Sequence, residues 1–166
     1  MTDINILLKR VITHSDRKEY KAAMDLCNEI ISEFPDNPQG YRKRAVIFEI
    51  TKRTNYAISD ITKAISIDPS YPHDYFNRGR WNLEVGKLEE SLGDLTALIK
   101  IEVERDSIYY LKTAYFLRAE CYLQMGLYDK AIEDCNKLSP GFSLWVCSGM
   151  KSKEDILRDI DNNRTN

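Results

Sequence analysis

A period of 34 residues constrains this chain more than any other feature of its sequence. Two columns of matching residues follow this spacing, namely Ala23, Ala57, Ser91, Ala131 and Arg10, Arg44, Arg78, Arg118. The last step in each column is 40 residues, so six extra residues lie between the third copy and the fourth. Self-similarity at this length is typical of repeat proteins, in which each copy buries its apolar side against the next copy.

Each copy contains two segments with the spacing of an amphipathic helix. In the second half of the second copy, Ala57, Ile61 and Ala64 recur at intervals of four and three residues, which places them on one side of a helix. Pro69 follows where such a helix would end. Gly86 lies where a tight turn between paired helices favours glycine. The sequence therefore predicts a series of helix–turn–helix units.

These copies resemble the tetratricopeptide repeat, a 34-residue helix–turn–helix unit with an aromatic, a small residue, a tyrosine, a central alanine and a closing proline. The fourth copy fits this pattern best, with Tyr115, Ala119, Tyr122, Gly126, Tyr128 and Ala131. The resemblance implies an all-α, right-handed superhelical α-solenoid of about four units plus a C-terminal capping helix. Within a single domain over 1–166, the repeats are assigned approximately to 4–37, 38–71, 72–105 and 112–140.

The remaining segments are predicted as additions to the repeats. Residues 106–111 are an insertion between the third and fourth copies. Residues 139–151 lack helical spacing and are predicted to form a loop, and a capping-box pattern at Ser152 opens a capping helix over 152–163. Because the last repeat of a solenoid would otherwise expose its flank, the aromatic residues Phe142 and Trp145 are expected either to fold back over it or to lie exposed as anchors for a partner.

Composition and charge argue against several classes of function. The net charge is −2, without the basic excess that binding to nucleic acid or an anionic membrane requires. No apolar run approaches the roughly 20 residues that cross a bilayer, and the four cysteines show no metal-ligand spacing. We therefore expect a cytoplasmic protein with reduced thiols and no cofactor or metal. No pattern supplies a nucleophile with its base, so an enzyme is only a distant alternative.

The resemblance implies that the first helix of each pair lines a concave groove for a partner protein or peptide. The residues predicted to bind there are Arg42, Lys43, His73, Phe76, Asn77, Arg80, Phe116 and Glu120, with Phe142 and Trp145 from the C-terminal segment. Basic and aromatic side chains suit a partner segment with acidic and apolar ones. The predicted function is a non-catalytic interaction scaffold or adaptor, and the sequence leaves the oligomeric state open.

Two narrower functions bear on this prediction. Repeats of this family that hold acidic chaperone tails resemble one another in a clamp of lysine, asparagine and arginine, whereas the matching positions here include Leu8, Ile12 and His73. The donors that would grip two carboxylates are therefore missing. The segment GFSLW, followed by KSKEDIL, is similar to small bacterial repeat proteins that block secreted toxins. A bacterial immunity protein that neutralises a toxin domain is thus the alternative function.

Overall fold

The computed structural model describes residues 3–146 and 149–165, and the chain divides into two compact units, of which one ends at Asp74 and the other begins at Tyr75. The first unit contains α1 Ile4–Asp16, α2 Tyr20–Glu33, α3 Pro38–Ile50, α4 Thr54–Ile67 and the first residues of α5 Pro72–Glu84. The second unit contains the rest of α5, then α6 Leu88–Glu104, α7 Leu111–Gln124, α8 Tyr128–Cys135, β1 Ser143–Val146, β2 Gly149–Ser152 and α9 Lys153–Arg164.

The succession of helix pairs confirms the predicted all-α class and the C-terminal capping helix, α9. The single domain over 1–166 stays a prediction. Among the described residues, none of the helices combines the length and the apolar character that crossing a bilayer requires.

The core of the first unit lies between α1, α2 and α3. Its fully buried side chains include Leu7 and Val11 from α1, and Ala23 and Ile30 from α2. Ile47 of α3 joins the same cluster. Burying a large apolar side chain stabilises a fold by about 1.5–3 kcal/mol, and the small Ala23 lets paired helices approach closely. This packing holds the first helices α1 and α3 against each other within the unit.

The turn inside each helix pair places one residue in the left-handed region of the backbone. In the second unit these residues are Gly86 and Gly126, with φ of 77° and 72°, as the sequence predicts. The equivalent residues of the first unit are Lys18 and Lys52, each with φ of 60°. Only glycine adopts this conformation without cost, so both lysines carry local strain.

The core of the second unit lies between α6, α7, α8 and α9. Leu98 of α6, Phe116 of α7 and Ala131 of α8 are buried in one cluster. The capping helix α9 contributes Ile156 and Ile160 to it, one turn apart and both fully buried. The capping helix therefore has its own apolar anchor in the core.

The insertion predicted at 106–111 contains the connection between α6 and α7, and this connection is tethered to α6. The buried Glu102, near the end of α6, accepts hydrogen bonds from Ser107 Oγ at 2.9 Å and from the backbone N–H of Tyr110 at 2.8 Å. These two bonds fix the chain where α7 begins.

The predicted loop over 139–151 is corrected by the structure, because strands β1 and β2 form an antiparallel hairpin there. Leu144 lies opposite Lys151 in the pairing, and Trp145 lies opposite Met150. Exposure alternates along β1, with Leu144 and Val146 turned towards the core and Trp145 towards solvent. A test for helical spacing misses this segment because a strand repeats every two residues.

The predicted start of the capping helix is confirmed. Ser152 Oγ accepts a hydrogen bond from the backbone N–H of Asp155 at 3.1 Å, and Asp155 Oδ2 accepts one from the backbone N–H of Ser152 at 2.8 Å. This reciprocal capping box satisfies two donors that a helix start leaves without an intrahelical partner. It also fixes the point at which β2 ends and α9 begins.

Candidate partner-binding site

The first helices of the first unit present an open surface. Equivalent positions 34 residues apart carry Leu8 and Ile12 on α1, and Arg42 and Val46 on α3; we call these four residues the first-helix face. Ile12 is 43% exposed and Val46 is 38% exposed, whereas Leu8 is half-buried. Three of the four residues of the first-helix face are therefore apolar, and a second basic residue, the half-buried Lys43, follows Arg42 in the sequence.

Arg42 belongs to this face by position, but its guanidinium is used inside the first unit. Its Nε donates to Asp74 Oδ2 at 2.8 Å, and its Nη2 donates to Asp68 Oδ2 at 2.9 Å. The guanidinium carbon also lies 4.2 Å from the centre of the Tyr71 ring. The hydrogen bonds from Arg42 and Ser70 lower the pKa of Asp68 below its usual value. Arg42 thus ties α3 to the chain around the start of α5, and its part in partner binding stays a prediction.

Four of the predicted binding residues lie on α5, namely His73, Phe76, Asn77 and Arg80. His73 and Arg80 are half-buried, and Asn77 is buried. The ring of Phe76 stacks on that of Tyr110, with centroids 5.1 Å apart. The involvement of these α5 residues in partner binding stays a prediction.

The first helix of the fourth repeat, α7, has a covered surface. Phe116 is 0% exposed, and its ring centroid lies 5.7 Å from that of Phe142. Glu120 is 7% exposed, and its Oε2 lies 2.8 Å from Lys151 Nζ on β2. The C-terminal segment covers Phe116 and Glu120 in this structure, and their part in partner binding stays a prediction.

The two C-terminal aromatic residues differ in their exposure, and a role of Trp145 as an anchor for a partner stays a prediction. Phe142 is half-buried and packs on the core, as the fold-back alternative predicts. Trp145 is 72% exposed, and Met150, its cross-strand neighbour, is 63% exposed. The outward side of the hairpin therefore carries an apolar pair, while its inward side packs on the second unit.

Charged side chains link α7, β2 and α9 under the hairpin. Lys151 Nζ lies between Glu120 Oε2, at 2.8 Å, and Asp159 Oδ2, at 3.0 Å. Burial acts to lower the pKa of Lys151, but the hydrogen bonds to both carboxylates outweigh it, so the pKa is raised. An open, mainly polar cleft of about 660 Å³ lies beside these three residues, with Tyr128 and Asn162 among its lining.

Sequence reasoning missed Lys151 and Asp159 as members of a site. Lys151 lies in the segment predicted as a loop, and Asp159 lies on the predicted capping helix, so nothing in the repeat pattern paired either with Glu120. The run Leu144-Trp145-Val146, which includes an aromatic and a β-branched residue, is a signal that could have suggested a strand there.

Comparison with known proteins finds similarity over parts of the chain. The tetratricopeptide repeat family profile matches residues 113–138. Over 85 residues the chain is 29% identical to human serine/threonine-protein phosphatase 5, which covers 51% of this chain and 17% of the phosphatase. It is 35% identical over 85 residues to small glutamine-rich tetratricopeptide repeat-containing protein 2 of Saccharomyces cerevisiae, covering 51% of this chain and 25% of that protein. The chain therefore matches a quarter or less of the length of these relatives.

Solved structures share the fold at low sequence identity. The crystal structure of MamA protein has a TM-score of 0.72 at 20% identity and covers 80% of this chain and 69% of its own. The first TPR of Spaghetti (RPAP3), bound to the HSP90 peptide SRMEEVD, has a TM-score of 0.63 at 22% identity. The superposition covers 72% of this chain and 90% of that structure. The Yersinia enterocolitica type III secretion chaperone SycD, in complex with a peptide of YopD, has a TM-score of 0.67 at 13% identity. The superposition covers 74% of this chain and 94% of that structure.

Proposed function

Because the chain belongs to the tetratricopeptide repeat family, we propose that it is a non-catalytic interaction protein that holds an extended partner segment on the first-helix face. The observation that carries this proposal is the exposure of Ile12 and Val46, two apolar residues at equivalent positions of packed first helices. Clustered apolar surface of this kind marks sites of protein contact. Lys43 adds a cation beside it, so the partner segment is expected to combine apolar side chains with a carboxylate.

Two proteins of this fold support a peptide as the partner. The RPAP3 repeat structure holds the HSP90 peptide SRMEEVD, and the SycD structure holds a peptide of YopD. The HSP90 peptide ends in acidic residues, whereas Leu8 and Ile12 of this chain cannot donate hydrogen bonds from their side chains. The proposed mode is therefore apolar anchoring on α1 and α3 with one lysine–carboxylate contact, rather than a grip on two carboxylates.

The proposal is tested by selecting binders from a random-peptide display library with the whole chain as bait. Enriched peptides are expected to pair apolar residues with Asp or Glu. The Ile12→Asp and Val46→Asp variants are expected to weaken the selected peptides about tenfold or more, because a buried, unpaired charge costs several kcal/mol at a contact. Fluorescence anisotropy with labelled peptides measures the affinities.

Ile6→Asp is the matched control, since Ile6 lies on α1 and is 56% exposed but falls outside the first-helix face. Peptide affinity should be unchanged in this variant. Equal weakening by Ile6→Asp and Ile12→Asp, or enriched peptides that bind the Val46→Asp variant as well as the unaltered chain, would contradict the proposal.

One observation favours a second candidate function, the inhibition of a toxin domain. Trp145 and Met150 form an exposed apolar pair on the hairpin, and aromatic anchors dominate the energy of many protein interfaces. If the neighbouring gene encodes a toxin, co-expression of this chain should restore growth, and Trp145→Ala should abolish the rescue. Ile108→Ala, at a residue that is 78% exposed elsewhere in the same unit, should retain it. A toxin gene whose product is not restrained by the unaltered chain would remove this candidate.

A further inference from the structure

The first helices α3 and α7 have equivalent surface positions that can be compared directly. Phe116 and Glu120 on α7 occupy the positions that Arg42 and Val46 occupy on α3, and we call this pair the α7 face. Val46 is 38% exposed in the first unit, whereas Glu120 is 7% exposed in the second. The same structural position is therefore open in one unit and covered in the other.

The covering groups come from the C-terminal segment. Phe142 places its ring against Phe116, at 5.7 Å between centroids. Nine residues later, Lys151 places its ammonium group 2.8 Å from Glu120 Oε2. One aromatic contact and one ion pair thus match the two residues of the α7 face. A ring packed on a ring and a cation on a carboxylate are contacts that a bound peptide would also make.

The hairpin that carries Lys151 is a small element. Each strand has four residues, and a hairpin of two short strands is at best marginally stable without further packing. Leu144 and Val146 pack on the core and Lys151 pairs with Glu120 and Asp159, while Trp145 and Met150 remain exposed. The stability of the hairpin therefore depends on what lies beneath it.

Helix α9 has an anchor of its own, although several contacts also tie it to the hairpin. Ile156 and Ile160 hold α9 in the core. Strand β2 runs directly into the N-cap of α9, the backbone N–H of Lys153 donates to Phe142 O at 2.8 Å, and Lys151 also pairs with Asp159 of α9. Movement of the hairpin off the α7 face therefore breaks the contacts to Lys153 and Asp159 but does not require Ile156 and Ile160 to leave the core.

From these relationships we propose that Phe142 and Lys151, together with the described residues of β1 and β2, are a built-in occupant of the α7 face, which a partner segment displaces. This inference rests on the proposed function, in which the first helices bind partner segments. The displacing segment must supply what the hairpin supplies, namely an aromatic ring for Phe116 and a cation for Glu120. The α7 face thus selects a basic, aromatic partner, unlike the first-helix face with its Lys43.

The direct test uses a fluorescein-labelled peptide of residues 139–152 with Cys147→Ser. The unaltered chain should bind this probe weakly, because a tethered copy competes at an effective concentration in the millimolar range. The double variant Phe142→Ala, Lys151→Ala should bind it about tenfold or more tightly, since the tethered copy has lost both contacts. Equal anisotropy titrations for the two proteins, or no binding by the variant at millimolar probe, would overturn the proposal.

A control peptide carries the same two alanine substitutions and should not bind the double variant. If that variant loses its helical circular dichroism signal, hydrogen exchange measured by mass spectrometry on the unaltered chain tests whether the hairpin opens. Backbone amides in β1 and β2 are then expected to exchange faster than those of α8 and α9. Exchange of the hairpin no faster than α9 would show a fixed cap and refute displacement.

The two proposals fail separately. The Ile12→Asp substitution removes binding at the first-helix face but should leave the probe affinity of the double variant unchanged. Loss of probe binding in the double variant carrying Ile12→Asp would show that the probe binds at the first-helix face rather than on α7. This result would refute the proposal of a built-in occupant and leave the proposed function of the first-helix face intact.

Discussion

Arg118 and Asp134 are joined by a two-bonded fork between the helices of the fourth repeat. Arg118 Nε donates to Asp134 Oδ2 at 2.7 Å, and Nη2 donates to Oδ1 at 2.8 Å. The hydrogen bonds from this fork are the main reason that the pKa of Arg118 is raised. The same fork, with partners 16 residues apart, joins Arg44 to Asp60 and Arg78 to Asp94. Three of the four arginines in the column, Arg44, Arg78 and Arg118, thus form interhelical ion pairs.

Replacing Arg118 should destabilise the chain strongly. The side chain of Asp134 is only 4% exposed, so Arg118→Ala leaves a buried carboxylate without its cation. Breaking a buried ion pair in this way costs about 3 kcal/mol or more. Arg118→Lys should cost less, because it keeps the charge but loses the second hydrogen bond. Urea denaturation followed by circular dichroism measures the free energy of unfolding.

Arg10 provides the control within the same column. The residue 16 positions after it is Leu26, which cannot accept a hydrogen bond from a guanidinium through its side chain. Arg10 is exposed, and Arg10→Ala should therefore change the free energy of unfolding by less than about 0.5 kcal/mol. Similar losses for Arg10→Ala and Arg118→Ala would contradict a role for the fork.

Gly79 should not tolerate alanine although it lies inside a helix. A Cβ at Gly79 would lie 3.1 Å from Leu95 Cγ and 3.3 Å from Asp94 Cβ, so α5 and α6 could not keep their spacing. Overpacking of this kind costs about 1–3 kcal/mol. Gly93→Ala is the matched control, because it gains the same helix propensity of about 1 kcal/mol with no atom within 4 Å. Thermal unfolding should show a lower midpoint for Gly79→Ala and a higher one for Gly93→Ala.

The sequence could predict the helix pairs because burial in a repeat depends mainly on local periodicity. Ala57 and Ala131, which fall in the small-residue column, have no exposed surface. The arginine column was visible too, but its partners were not, since Asp60 and Asp134 look like ordinary helix-surface acids until the two helices are paired.

The covered α7 face could not be predicted from the repeat pattern. Phe116 and Glu120 fall in columns of first-helix residues that do not belong to the packing columns, so the repeat pattern alone assigns them to an open surface. Their burial depends on Phe142 and Lys151, which come from outside the repeats. A contact of this kind follows from tertiary packing, on which local spacing carries no information.

The buried thiols should resist alkylation in the native state. Burial raises the pKa of the Cys27 thiol to about 12 and the pKa values of Cys121 and Cys135 to about 11. Because the thiolate is the nucleophile, the reactive fraction at pH 8 falls by about a hundredfold or more relative to an ordinary cysteine. Iodoacetamide labelling followed by peptide mass spectrometry should find these three residues unmodified in the folded chain. Labelling in concentrated urea is the control, and native rates that equal those in urea would contradict the prediction.

The capping box at the start of α9 should make stability depend on acid pH. The hydrogen bonds from the Ser152 side chain and backbone lower the pKa of Asp155 to about 2, below its unfolded value of about 3.9. A group with a lowered folded pKa stabilises the fold above its unfolded pKa, and that contribution is lost as the pH falls through the folded value. The difference in unfolding free energy between the unaltered chain and Asp155→Asn should therefore be constant above about pH 5 and shrink towards pH 2. Asp161→Asn, at an exposed residue of the same helix, should show a smaller difference at every pH. A difference for Asp155→Asn that stays constant down to pH 2 would rule out the charged capping box.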